Sequence, residues 1–208
     1  MPKDFSMTEN ETGSGDVRET PKFTGVRTHR DEKGRYSVRF ATDWQWFTID
    51  EPIGDPDGVR REGIGAAPNA ADPSSALTMW VTPLATSVTV EDLADLREGV
   101  DQGLVSLEGS LILSTEDLVL DNLIKFVRVY TFREGDATRK RQQWLLYVDR
   151  WLMCLTWQGS SVEEYDYWYA MANHTFMTME LPPELWFATD RDLAGLNREP
   201  ASPHETVH

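Results

Sequence analysis

A chain of 208 residues, 40% hydrophobic and with eight tryptophans, is long enough to bury the core of one domain, which excludes a wholly disordered protein. The formal net charge of −15 excludes the long basic surface that nucleic-acid binding requires. No apolar run approaches the ~20 residues of a membrane-spanning helix. We therefore expect a soluble, acidic protein that binds no nucleic acid and has no membrane span.

The sequence shows neither a signal peptide nor a pair of cysteines, the features expected of a protein from an oxidising compartment. Residues 1–6 have no apolar segment behind Lys3, so no secretory signal peptide is visible and we expect a cytoplasmic location, provided that no leader was removed. The single cysteine, Cys154, cannot form a disulfide within the chain. Its apolar surroundings are typical of a buried strand residue, so we assign it no catalytic role.

Charge is unevenly distributed along the sequence. Residues 43–122 carry three basic against sixteen acidic residues, a balance of −13, whereas residues 125–150 carry seven basic against three acidic, a balance of +4. Two interpretations stay open. The acidic region is either a solvated surface beside strands whose charged edges discourage aggregation, or a docking surface for a basic partner.

The first residues predict a tail followed by strands. Residues 1–22 are polar and nearly free of apolar side chains, so we expect a disordered tail. Residues 23–29 predict a short strand. Residues 35–40 alternate apolar and polar side chains, which indicates a strand with one buried face. The aromatic residues that follow are expected to close one end of the sheet: Trp44, Trp46 and Phe47.

The next part of the chain predicts a loop, a strand and a helix. Residues 51–75 hold eight prolines and glycines, so we expect a long irregular loop, and a short strand near residues 59–64 is an open alternative within it. Residues 76–84 predict a strand. A capping box of Thr89 and Asp92 opens a helix that Gly109 ends. Its buried stripe is Leu93, Leu96, Val100, Leu104 and Leu107.

The strongest pattern lies in residues 123–180. After two short strands at 111–113 and 118–120, three longer runs rich in β-branched and aromatic residues are separated by turn residues, which predicts three consecutive antiparallel strands. Ser161 and Glu164 then form a capping box that starts a helix. Its apolar face is Tyr165, Trp168, Ala172, Phe176 and Met179.

Together these elements predict an α+β fold, an antiparallel sheet of about six strands flanked by helices on its two faces. The predicted domain is residues 23–183. Residues 184–208 form a C-terminal tail or a docking segment, because two large aromatic residues, Trp186 and Phe187, stand in otherwise polar sequence.

The order of elements, with its residues, resembles the Mog/PsbP-like superfamily over residues 35–181. The matching residues are an opening strand followed by tryptophan (YSVRFATDW), a strand ending in proline before a capped helix (LTMWVTPLATSVTVEDLADL), a turn at Asp121-Asn122, and a last strand leading into an aromatic helix (LMCLTWQGSSVEEYDYW). The resemblance implies an α/β/α sandwich and a bacterial accessory-type protein.

The superfamily includes a photosystem subunit, a nuclear-import factor that binds the GTPase Ran, bacterial envelope lipoproteins and cytoplasmic chaperones of secreted effectors. It has no shared catalytic residue set, so the resemblance transfers no site residue. It implies a binding or accessory role. We expect this chain to differ from the lipoproteins, because neither a leader nor a lipidation cysteine is visible in its sequence.

The sequence contains no catalytic or metal-binding pattern. His204 and His208 lie in the C-terminal tail, and His174 is expected on the rim of the last helix. The His-Glu-x-x-His, Gly-x-Ser-x-Gly, Walker and dinucleotide-binding patterns are absent. Residues 55–58 lack the full spacing of a calcium loop. We therefore predict no catalytic residue, no metal and no cofactor.

The tryptophans exceed what a small core needs, and tryptophan is enriched at protein interfaces. Candidate partner-binding residues are Trp46, Trp80, Trp144, Trp151, Trp186 and Phe187. The first hypothesis is a non-enzymatic protein-interaction module, an adaptor or chaperone with exposed aromatic surface, whose partner is another protein or a second copy of the chain. The alternative is a carrier of an apolar small molecule, which requires a closed pocket lined by tryptophan and methionine between helix and sheet. An enzyme is the third hypothesis.

Overall fold

The computed structural model describes residues 18–55, 58–120, 123–183 and 185. The described chain forms two helices, α1 (Leu93–Val105) and α2 (Val162–Met177), with a short 3₁₀ turn, Val90–Asp92, before α1. Its nine strands are β1 (Val26–Arg30), β2 (Ser37–Ala41), β3 (Gln45–Pro52), β4 (Arg60–Ala67), β5 (Ala76–Pro83), β6 (Leu111–Leu120), β7 (Leu123–Glu134), β8 (Ala137–Val148) and β9 (Trp151–Gly159).

Seven strands form one antiparallel sheet in the order β3-β4-β5-β9-β8-β7-β6, and β1 and β2 form a separate two-stranded ribbon. The fold is therefore rich in sheet, with two helices, and its main sheet has seven strands where about six were predicted. The strands predicted at 23–29 and 35–40 form the ribbon and do not join the main sheet. The main sheet gains β3, whose tryptophan and phenylalanine were expected only to close its end, and β4, which lies in the segment predicted as a loop.

The three-strand meander predicted in residues 123–157 is confirmed as β7, β8 and β9. Its two turns each contain one residue in the left-handed region, Gly135 with φ +61° and Asp149 with φ +50°. Glycine adopts this conformation without a steric cost and aspartate tolerates it, which is why both turns are tight.

Helix α2 begins where the sequence predicted. The backbone N–H of Glu164 donates to Ser161 Oγ at 3.2 Å, so the hydroxyl half of the capping box is formed. The Glu164 carboxylate was predicted to bond back to Ser161. It accepts instead from Trp168 Nε1 at 3.1 Å and pairs with Arg18, which fixes residue 18 beside the helix.

One face of the sheet, which we call the α2 face, carries the main core. Helix α2 and the β1-β2 ribbon cover it, and five large side chains here are almost fully buried. Removing one such side chain from water contributes about 1.5–3 kcal/mol, so this face supplies much of the hydrophobic stabilisation. These side chains are Phe40, Leu77, Leu155, Trp157 and Phe176.

Helix α1 packs on the opposite face, the α1 face, because successive strand residues point to opposite sides. Its predicted stripe is confirmed. Leu93, Leu96 and Val100 contact a cluster that contains Phe126 and Cys154, and the end of the helix packs near Tyr130. Neither helix in the described ranges is both long and apolar enough to span a membrane.

The long loop predicted for residues 51–75 is wrong, whereas the short strand considered near residues 59–64 is present as part of β4. Strand β3 continues to Pro52 and β4 occupies Arg60–Ala67, so only short connections remain between β3 and β5. Pro52 is tolerated because it ends an edge strand. Gly63 is required because a Cβ atom there would overlap the backbone oxygen of Met79, and Gly65 makes room for the Phe47 ring. The glycines mark close packing inside a strand rather than a loop.

The two short strands predicted at 111–113 and 118–120 form one strand, β6, with a register irregularity between Ile112 and Ser114. Its polar middle looked like a break. As an edge strand, β6 exposes these side chains to water while its backbone still pairs with β7.

A buried ion-pair network fixes α1 to the sheet. Arg128 on β7 is 1% exposed, and its guanidinium donates to Asp101 of α1 at 2.9 Å and to Asp117 of β6 at 2.7 Å. Arg97 donates to Asp117 from the surface at 2.6 Å. Burial alone would raise the pKa of Asp117, but the two guanidinium groups outweigh it and hold that pKa below its ordinary value.

Substitution of Arg128 by methionine should destabilise the fold strongly, because two partly buried carboxylates lose their cation. We expect the free energy of unfolding to fall by about 2–4 kcal/mol in urea denaturation. The matched control is Arg97→Met, which removes an exposed pair to Asp117 and should cost under about 1 kcal/mol. Equal losses in the two variants would show that Arg128 does not anchor α1.

Substitution of Gly63 by alanine should lower the free energy of unfolding by about 2–3 kcal/mol, because the new methyl group meets backbone that cannot rotate away. Gly103→Ala in α1 is the control, since no atom lies near a Cβ at that position. It should be neutral or stabilise by up to about 1 kcal/mol. Thermal and urea denaturation of both variants measure the difference.

Candidate functional site: an open groove and a bare sheet edge

Four of the residues predicted to bind a partner lie in the described chain, and all four are buried or half-buried: Trp46, Trp80, Trp144 and Trp151. Trp186 and Phe187 lie outside the described residues. The structure does not bring the four rings together, since they stand on four different strands and on both faces of the sheet. Their role in partner binding stays a prediction.

A cation lies over each of these four rings. Cation–π contacts of this kind contribute about 0.5–2 kcal/mol and cover part of one face of each ring. The distances from the cation to the ring centroid are 4.7 Å for Arg27 and Trp46, 5.6 Å for Arg61 and Trp80, 3.9 Å for Lys125 and Trp144, and 4.7 Å for Arg35 and Trp151.

The half of the α1 face that α1 leaves uncovered forms an open groove of about 370 Å³. Its floor is built by β4, β5, β9 and β8, and β3 and residues 73–74 form its rim. Strand register places its polar side chains in two rows, because Thr156 lies opposite both Thr78 and Gln143, and Gln158 lies opposite Arg141. We call this cavity the polar groove.

Arg141 is held in the polar groove by neutral partners. Its Nε donates to Gln158 Oε1 at 3.0 Å, its Nη2 contacts the same oxygen, and its Nη1 donates to the Tyr130 hydroxyl at 3.2 Å. Gln158 is itself fixed, because its Nε2 donates to the Ser74 carbonyl at 3.2 Å. Within the described ranges no carboxylate lies at ion-pair distance from Arg141.

The groove lining is slightly positive. Its charged residues are Arg61, Arg141 and Glu51, and Arg61 Nε lies 3.0 Å from Glu51 Oε2. One positive charge therefore remains uncompensated in a chain whose formal net charge is −15. Phe47 and Trp80 supply the aromatic part of the lining. The arrangement suits a ligand that combines negative charge with an apolar surface.

Cys154 lies beneath the groove and is fully buried, as its apolar sequence context predicted. Gln143 Nε2 donates to its sulfur at 3.1 Å, and Thr156 Oγ1 lies 3.3 Å from it. Burial raises the pKa of the Cys154 thiol despite these hydrogen bonds and the nearby guanidinium groups. The thiol is thus kept protonated and unreactive.

The outer edge of β6 is the second candidate surface. β6 pairs only with β7 among the described strands, and it is ten residues long. Leu111 and Leu113 are exposed on it, and Val105, at the end of α1, is 73% exposed. These residues, with β6 itself, form what we call the β6 edge.

The described residues offer little to a metal or to acid–base chemistry. No group of three His, Cys, Asp or Glu side chains in those ranges is placed to hold a metal ion. His174 stands on α2 as predicted, with its ring against Phe23 at 5.0 Å. Each carboxyl group there with a resolved shift has a lowered pKa, through hydrogen bonds that outweigh burial: Asp31, Asp50, Asp72, Asp117 and Glu163.

Comparison with solved structures identifies the fold. The chain is similar to cyanobacterial PsbP (CyanoP) from Synechocystis sp. PCC 6803, with a TM-score of 0.53, 13% identity, and coverage of 81% of this chain and 96% of that one. It is also similar to LpqN of Mycobacterium tuberculosis, with a TM-score of 0.50, 14% identity, and coverage of 76% and 91%. The chain has a PsbP-like fold.

At these identities the likeness shows the fold alone. No family model matches the chain, and no curated protein matches it either. The candidate sites therefore rest on the geometry of this chain.

Sequence reasoning missed the polar groove. The sequence pattern that could have predicted it is the presence of polar residues at alternate positions of two largely apolar strands. These residues are Arg141 and Gln143 in β8 and Thr156 and Gln158 in β9. These positions were read as parts of one meander. Only the pairing of β9 with β5 adds Thr78 and shows that the polar residues share one cavity.

Native Cys154 should resist thiol reagents, because the side chain is buried and its pKa is raised. With Ellman's reagent at pH 8 we expect no release of thionitrobenzoate from the folded protein, and one thiol per chain after unfolding in guanidinium chloride. The Cys154→Ala variant gives the blank. Rapid labelling of the folded protein would contradict the buried position.

Proposed function

We propose that this protein is a non-enzymatic accessory module that binds an extended segment of another protein along the β6 edge. The observation that carries the proposal is a ten-residue edge strand with exposed leucines. Such an edge presents backbone donors and acceptors to any extended chain, which can add to the sheet as a further strand.

The opposite edge of the sheet is better protected. β3 ends at Pro52, and its acidic residues Asp50 and Glu51 pair with Arg60 and Arg61 of the neighbouring strand. Natural proteins use proline and charge in this way to block pairing at an edge. β6 has a bulge near one end and two acidic residues in its middle, and it keeps apolar side chains at both ends.

Charge favours a basic partner segment. Glu116 is exposed on β6, Glu108 precedes the strand, and both belong to residues 43–122, whose balance is −13. A segment that alternates apolar and basic side chains would place apolar groups against the leucines and cations against these acids. This favours the docking interpretation of the acidic region over a solvated surface.

The absence of catalysis is part of the proposal. The shifted carboxyl groups of the described residues have lowered pKa values, so they stay ionised at neutral pH and suit structural pairs. A general acid needs a pKa near neutrality. The two solved structures that share the fold are those of a PsbP and of a protein involved in cell envelope biogenesis. An adaptor or chaperone role in the cytoplasm is the specific form that we propose.

The alternative, a carrier of an apolar small molecule, has less support. It requires a closed pocket lined by tryptophan and methionine. Met79 and Met153 are instead fully buried in the packed core, and the polar groove is lined by charged and amide side chains.

The β6 edge can be tested with a decapeptide of alternating lysine and valine. We expect it to bind the full chain, measured by fluorescence polarisation of the labelled peptide. N-methylation of alternate backbone nitrogens removes the N–H donors along one edge of the peptide. Binding through that edge should be abolished, because strand addition depends on main-chain hydrogen bonds. A glutamate and valine peptide should bind at least about tenfold more weakly.

The double variant Leu111→Lys, Leu113→Lys should lose binding of the lysine and valine peptide, because it places positive charge on the apolar part of the edge. Its control is Met177→Lys, at an exposed position at the end of α2. Binding that survives both N-methylation and the double variant would exclude the β6 edge as the site.

A further inference from the structure

The polar groove is distinct from the β6 edge and has the features of a small-molecule site. It lies on the opposite flank of the sheet, beside β3 and β4, and its volume of about 370 Å³ is within the usual range of ligand pockets. Three central strands contribute polar side chains to it at matching register. Polar residues on the face of a central strand are costly to keep in a sheet unless they are hydrogen-bonded or serve a ligand.

The guanidinium of Arg141 is positioned before any ligand arrives. Gln158 and Tyr130 hold it by neutral hydrogen bonds, and Ser74 in turn holds Gln158. These contacts use one N–H from each of its three nitrogens, so two N–H groups of the fork remain. A preorganised arginine loses little side-chain entropy when it binds an anion, which favours affinity.

The aromatic side chains give the groove an apolar wall. Phe47 projects from β3 across Gly65, where no side chain blocks it, and its ring is partly exposed to the groove. Trp80 lines the other side, next to Arg61. An apolar body between these rings would be removed from water while an anionic group reaches Arg141.

We propose that the polar groove binds a small organic monocarboxylate with an apolar or aromatic body. The carboxylate accepts two hydrogen bonds from Arg141, and Gln143 and Thr156 border it. The net lining charge is +1, since Glu51 offsets one of the two arginines, so a monoanion is matched better than a dianionic phosphate. The volume of about 370 Å³ equals about twelve water volumes, which leaves room for a phenylpropanoate.

The experiment is a titration of the ¹⁵N-labelled full chain with 3-phenylpropanoate, followed by NMR. We expect shifts that saturate at millimolar concentration and that centre on β5, β8 and β9. The neutral isostere 3-phenylpropanamide should bind at least about tenfold more weakly, because it lacks the charge that strengthens the hydrogen bonds. Phenyl phosphate is titrated in parallel and should bind more weakly than the carboxylate.

Arg141→Gln should weaken binding of 3-phenylpropanoate by about tenfold to a hundredfold, because it removes the cation and keeps an amide donor. The matched control is Arg133→Gln, at an exposed arginine 3.8 Å from Glu108 at the far end of β7. A second variant, Thr78→Phe, fills the groove without changing charge and should abolish binding. Thermal denaturation confirms that each variant is folded.

Three results would overturn the proposal. One is the absence of any saturable shift with the carboxylate, and another is equal affinity for the carboxylate and the amide. The third is unchanged affinity in folded Arg141→Gln or Thr78→Phe. Tighter binding of phenyl phosphate would replace the monocarboxylate by a phosphate ester as the ligand class, and so would also contradict the proposal as stated.

Discussion

The insertion of β9 between β5 and β8 is the constraint on which the rest of the structure depends. β9 is the last strand in the described part of the chain, yet it lies in the middle of the sheet and joins β3-β4-β5 to β8-β7-β6. Seven of its nine residues are buried, which is possible only because α2 covers one face and α1 part of the other. Backbone pairing on both sides satisfies the polar groups that this burial removes from water.

Helix α1 covers only part of its face, and the uncovered part is one of the two surfaces proposed to bind a ligand or partner. α1 is fixed over β6 to β8 by its apolar stripe and by the Arg128 network, so the β3 to β5 half of that face stays open as the polar groove. The same arrangement leaves β6 at the end of the sheet, where it pairs with β7 on one side and with no described strand on the other. The two candidate surfaces therefore follow from one packing solution.

Particular residues show why prediction succeeded in one half of the chain and failed in the other. In β7 to β9 and α2 the apolar period and the turn residues agree, so local reasoning located each element. In β3 and β4, Pro52, Gly63 and Gly65 indicated a loop. Their presence is explained by an edge position and by close contacts with Met79 and Phe47, which are distant in sequence and leave no local signal.

The sequence by itself determined the α+β class, the meander, both helices with their buried stripes, and the burial of Cys154, because these depend on periodicity and capping within about twenty residues. Only the tertiary structure decided the strand order, the length of β6 and the grouping of Arg141 with Thr78. The strand order and the grouping of Arg141 with Thr78 depend on β5 pairing with β9, between residues 68 to 82 positions apart, and the length of β6 depends on its pairing with β7. Side chains that meet through such pairing form one cavity, although nothing in their own segments distinguishes them from solvated polar residues.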